Sequence, residues 1–217
     1  MALLKILFVF YIGFKIGNAI YKSFYIRLIC AVSLAFLFYK FSFSLQFLMF
    51  SFFTVTLILV SVEDYFHKLI PAIAPPLLFG IGLLFSFFNP IFLDKSYFFK
   101  LFNSILGALA GGGILFLISM LGEFLYKKEV MGGGDVKLML GVGAFVGAER
   151  VLLSIFIASL LASIVGLILI LFKKKSKEMY IPFGPFLSLA SFAVVLIPKP
   201  IQLLDILFAW EAKILGA

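Results

Sequence analysis

The chain has 217 residues, 64% of them hydrophobic and only 13% charged, with a formal net charge of +8. Soluble domains hold about 45–50% apolar and about 25% charged residues, so no soluble core could hide this much apolar surface. The composition predicts an all-α, polytopic membrane protein with lipid as its main solvent. The Lys and Arg residues lie mostly between apolar runs, where they read as topology signals. No basic-aromatic interleaving suited to stacking bases occurs, which argues against nucleic acid as a partner.

A spanning helix needs about 20 mostly apolar residues. Eight segments qualify as candidates, roughly 3–21, 24–41, 44–62, 72–89, 98–121, 135–147, 150–172 and 182–198. The sixth is short and glycine-rich, the weakest of the eight as a full span. Met1 to Ile20 is followed by Tyr21-Lys22-Ser23 rather than a small-residue cleavage motif, so it reads as a first anchor and not a cleaved signal. Pro198-Lys199-Pro200 stops the eighth segment. Residues 201–215 then set Leu203, Leu204, Ile206, Leu207 and Trp210 against Gln202, Asp205, Glu211 and Lys213, the pattern of an interfacial amphipathic helix. No repeat or linker stands out, and residues 1–217 read as one membrane-embedded domain. Nothing in the sequence speaks to an oligomeric state.

Cys30 and His67 are the sole cysteine and histidine. They allow no intrachain disulfide and no cysteine metal cluster, and leave too few ligands for a His-Glu zinc site. Neither a metal nor a cofactor is expected. With eight spans the connecting loops fall into two alternating sets. The set around residues 22, 63–71, 122–134 and 173–181 carries ten Lys and Arg against seven for the other, including the cluster Lys173, Lys174, Lys175 and Lys177. That set is predicted to face the cytoplasm, with both termini outside. Asp64 and Asp135 then lie on one membrane face.

The chain has ten acidic residues. Asp94 reads as solvated in its loop, Glu149 and Arg150 as a tight connection without a special role, and Asp205 and Glu211 as the polar face of the terminal helix. Glu63, Asp64, Glu123, Glu129 and Asp135 gather near one face. Taken singly, Asp64 reads equally well as a solvated residue at a helix end. Asp135 reads as a first-turn residue that favours the helix dipole, and Gly132-Gly133-Gly134 before it as a hinge. Gly107, Gly111, Gly112 and Gly113 read first as close helix packing.

Taken together, the two aspartates suggest chemistry. Two carboxylates at about 3 Å share one proton at neutral pH. The charged member can take a proton from water while the protonated one donates to a carbonyl oxygen, which is metal-free hydrolysis of an amide. This suits a chain that lacks a Ser-His pair and a usable cysteine. Glycines beside Asp135 would let an extended peptide backbone approach.

Gly132-Gly133-Gly134-Asp135 fits the Gly-x-Gly-Asp motif of intramembrane-type aspartic proteases. The wider string from Glu129 through Met131 to Lys137 and Leu138, followed by Gly141 and Gly147, resembles the prepilin peptidase branch. Asp64 followed by Ile70-Pro71, Pro76 to Leu84 and Asn89 resembles that family's first aspartate region, and Ile181 to Leu187 the segment before its last span. The resemblance implies a type IV prepilin leader peptidase of the inner membrane. Such enzymes cut a short basic leader from prepilins and pseudopilins on the cytoplasmic face, commonly after a glycine. It implies Asp64 and Asp135 as the catalytic pair. It also implies Glu129, Gly132, Gly133, Gly134 and Lys137 as supporting or substrate-binding residues, and Pro182, Phe183, Gly184 and Pro185 as shaping a substrate groove.

Two departures stand out. Larger members carry two Cys-x-x-Cys pairs after the first span, whereas here Gly17 to Tyr21 leads almost directly into the second. Those members also methylate the new N-terminus using S-adenosylmethionine, so peptidase plus methyltransferase is the alternative reading. Ala72 stands where the family usually has Asp or Asn. A third reading, a transporter using Asp64 and Asp135 as proton or ion carriers, fits less well with two carboxylates at one face and no inverted repeat.

Overall fold

In lipid every backbone N–H must be satisfied within its own segment, so apolar runs of this length fold as helices. The computed structural model describes residues 2–92, 96–128, 131–173 and 181–197, and among them the regular structure is all helical. In chain order come α1 (Ala2–Ile20), α2 (Phe24–Phe41), α3 (Leu45–His67) and α4 (Ala74–Phe85), the last extended by a 3-10 turn over Ser86–Phe88. Then follow α5 (Tyr97–Tyr126), α6 (Gly133–Val146), α7 (Ala148–Lys173) and α8 (Gly184–Leu196). Each predicted segment matches one helix. Helices α2, α3, α5 and α7 are long and apolar enough to cross a membrane, which makes this a multi-pass membrane protein. The α4 segment and α8 are shorter apolar helices. The predicted terminal helix over 201–215, Glu129, Asp94 and the Lys174 to Lys177 cluster lie outside the described residues.

Helix α3 runs past its apolar stretch. Hydropathy ends the segment at Val62, but the helix continues to His67, placing Asp64 inside its last turn. An (i, i+4) contact between Glu63 Oε2 and His67 Nδ1, 2.8 Å apart, supports that turn. Lys68 then closes it in the left-handed conformation (φ 57°), its N–H donating to the Asp64 carbonyl at 3.0 Å.

Helix α6 is the centre of the bundle. Apart from Leu140, every residue from Leu138 to Val146 is buried. Inside lipid the hydrophobic effect does not drive helices together, and close backbone approach takes its place. Gly107 of α5 faces Gly143 of α6 so tightly that a Cβ on either would collide with the carbonyl oxygen of the other. On the opposite side a Cβ on Gly141 would sit 2.7 Å from Leu78 Cβ of α4. Gly111 and Gly112 pack as expected, against α6 and α7, but Gly113 faces open space, contrary to the packing reading.

With 14 residues, α6 is about 21 Å long, shorter than the hydrocarbon core of about 30 Å. Its far end is buried among its neighbours, and its last carbonyls need donors there. Asn89 Nδ2 donates to the Phe145 carbonyl at 2.6 Å and Ser104 Oγ to that of Ala144 at 2.7 Å. Gly147 turns the chain at φ 81°.

Helix α8 is pinned at the same far end. Arg150 Nη1 donates to the carbonyls of Val194 (2.8 Å) and Ile197 (3.0 Å), and Lys40 Nζ to those of Val195 (3.2 Å) and Leu196 (2.8 Å). Two cations thus meet the negative end of the helix dipole. The expectation that Arg150 has no special role is corrected: it is buried and caps α8. Ser154 and Ser191 add a buried hydrogen bond between α7 and α8 at 2.9 Å.

Candidate active site

Helices α3 and α6 run in opposite directions and share a rung. The rings of Phe53 and Phe145 lie 4.9 Å apart, centroid to centroid. Asp64 is eleven residues beyond Phe53 and Asp135 ten before Phe145, or about 16 Å and about 15 Å along their helices. Both carboxylates therefore emerge at one level at one end of the bundle. Both are buried, Asp64 at 3% exposure and Asp135 at 7%.

Their oxygens meet different surroundings. Asp64 Oδ2 accepts a hydrogen bond of 2.8 Å from the backbone N–H of Gly184, the first residue of α8. That N–H is one of the free donors at a helix N-terminus, where the dipole favours an anion. Asp135 sits in the first turn of α6, its own N–H donating to the Gly132 carbonyl at 3.1 Å. Its Oδ1 is buried without a hydrogen-bond partner.

The three glycines before Asp135 have separate surroundings. A Cβ on Gly134 would lie 3.1 Å from Ile70 Cβ, so this glycine admits the α3–α4 connection. Gly133 faces open space, and a Cβ on Gly132 would stand in ordinary contact with Asp135 Oδ2 at 3.6 Å. Gly132 has φ −67°, which any residue can adopt. Space, not backbone freedom, is what these glycines provide. Lys137 is exposed and forms no salt bridge with either aspartate.

Pro182, Phe183, Gly184 and Pro185 form the approach to α8, with Phe183 at the N-cap and proline in the first turn. Phe183 packs on the apolar core. Gly184 lies against Asp64 itself: a Cβ there would be 2.7 Å from Oδ2. Sequence reasoning placed Gly184 in a groove and missed its bond to Asp64. A hydrogen bond across 120 positions leaves no local signal except the glycine.

The family model described as "Type IV leader peptidase family" matches residues 51–167, from within α3 to within α7, with both aspartates included. The chain belongs to the type IV leader peptidase family. Relatives in this leader peptidase family include proteins named prepilin leader peptidase/N-methyltransferase. That of Aeromonas hydrophila is 32% identical over 144 residues, 66% of this chain and 47% of the relative. That of Xanthomonas campestris pv. campestris is 34% identical over 138 residues, 64% and 46% respectively. That of Stutzerimonas stutzeri is 29% identical over 172 residues, 79% and 57%. The chain thus spans about half the length of the leader peptidase relatives it matches. No solved structure matches it.

Proposed function

We propose that the chain is an aspartic endopeptidase that removes the basic leader from prepilins and related pseudopilins at the cytoplasmic face of the inner membrane. The observation that carries this reading is the pair of buried carboxylates, Asp64 and Asp135, brought to one end of the bundle from separate helices and differently bonded. Asp64 has an N–H donor for its charged form and acts as the base, taking a proton from water. Asp135, buried with a bare oxygen, holds the shared proton and donates it to the scissile carbonyl. Water adds to the carbonyl carbon to give a tetrahedral diol. The proton gained by Asp64 then passes to the leaving nitrogen as the C–N bond breaks, and one diol hydroxyl returns its proton to Asp135 as the carboxyl product forms. Gly132 and Gly133 leave space beside Asp135 for the peptide backbone, while Glu129, Lys137 and the Pro182 to Pro185 turn belong to its binding region.

The eight described helices act as one domain, with the shorter ones completing their crossing against protein neighbours. The test is cleavage of a prepilin by the purified protein in detergent. Asp64→Asn and Asp135→Asn are each expected to lower turnover at least about 1000-fold, the loss of an acid–base partner, with the far-UV spectrum unchanged. Normal turnover in either variant would defeat the shared-proton mechanism. The relatives' names, prepilin leader peptidase/N-methyltransferase, favour methyltransferase activity as a second reading. Methyl transfer from labelled S-adenosylmethionine to the cleaved product decides it.

A further inference from the structure

A cavity of about 230 Å³ opens between α2 and α8 across one face of α3. On α3 it runs from Thr54 through Ile58 to Ser61 and Val62, about 12 Å of helix. On α8 it begins at Pro185 and includes Ser188. Ser61 lies one turn before Asp64 and Ser188 one turn beyond Gly184. The cavity therefore starts directly below the Asp64–Gly184 hydrogen bond. Its lining is almost wholly apolar, yet Thr54 Oγ1 and Ser188 Oγ are buried without a hydrogen-bond partner. Ile29 and Leu189, which also line it, are exposed on the flanking helices, so it opens sideways onto the apolar outer surface.

Two features select an occupant. Polypeptide reaching this depth from lipid has to be helical to satisfy its own backbone. An acyl chain would match the apolar walls but offer nothing to the two hydroxyls. A helix offers carbonyl oxygens, and small hydroxyl residues are what let a second helix come close. We propose that the cavity seats an apolar transmembrane helix of the substrate, the flank of the scissile peptide that lies within the membrane. This rests on the peptidase reading and adds to it a sideways route of entry and a basis for selection. The aspartates cut a peptide bond of any sequence; the slot admits only peptides whose next turns are apolar and small where they face Thr54 and Ser188.

The test uses the full chain and a prepilin precursor together in phospholipid vesicles. Wild-type cleavage is measured first, and its absence defeats the peptidase reading rather than the slot alone. In an Asp135→Asn background, Ile58→Cys is then oxidised against single cysteines placed in turn along the precursor's apolar segment. Cross-links are expected at every third or fourth substrate position. A wild-type enzyme that cleaves, with cross-links absent or spread evenly, overturns the slot. Separately, Ser188→Leu and Thr54→Leu are expected to raise KM about tenfold with kcat changed less than about twofold, as expected for lost ground-state binding. An unchanged KM, or displacement of bound phospholipid without any loss of precursor binding, overturns it as well.

Discussion

Asp64 and Asp135 differ in what meets their oxygens, and the difference has a pH signature. Asp64 Oδ2 has a backbone N–H donor, while Asp135 Oδ1 is buried without a partner. The acid of the proposed reaction is a proton held by one of two carboxylates, so wild-type kcat/KM is expected to fall both at high pH, where both are ionised, and at low pH, where both are protonated. A flat pH–rate profile for prepilin cleavage would refute it. The carboxylates themselves were legible in the sequence because charge is scarce among so many apolar residues. The unequal bonding was not, since Asp64 owes its donor to a helix that begins 120 positions later.

At the scale of the element, hydropathy located the eight helices among the described residues because lipid demands long apolar runs. It misjudged their ends where other forces decide. Helix α3 gains a polar turn from the Glu63–His67 contact and the Lys68 cap, and that turn carries Asp64. Glycines posed a similar problem, because spacing alone does not say which face of a helix a residue occupies. Gly107, Gly111 and Gly112 pack closely, whereas Gly113 does not. Substitution separates them. Gly143→Ala drives a methyl group into the backbone of α5 and is expected to cost on the order of 3 kcal/mol, the upper range for overpacking. Gly113→Ala, facing open space, is expected to change stability by less than about 0.5 kcal/mol or to raise it slightly through helix propensity. Equal effects from both, in urea or thermal unfolding, would show that the α5–α6 approach is not what holds the centre.

At the scale of the whole molecule, the ends of α3, α6 and α8 that carry Asp64, Asp135 and Gly184 face one way, and the caps made by Lys40, Asn89, Ser104 and Arg150 the other. Helix α5 joins the two ends, with Ser96 before it on the capped side and Lys128 beyond it on the aspartate side. If the aspartate end faces the cytoplasm, an impermeant thiol reagent will label Ser96→Cys in right-side-out vesicles and Lys128→Cys only in inside-out vesicles. The native Cys30 is buried and adds little background. The reverse pattern would overturn the orientation drawn from Lys and Arg bias. Dependence of the aspartates on α8 also has a consequence for biosynthesis. Ribosomes deliver the chain from one end, so both carboxylates enter the bilayer well before residue 184 exists. Until the eighth helix docks, Asp64 lacks its donor and its neighbour on one side. Under the proposed peptidase reading, a nascent chain built this way stays latent during its own insertion, and the onset of cleavage reports that assembly is complete.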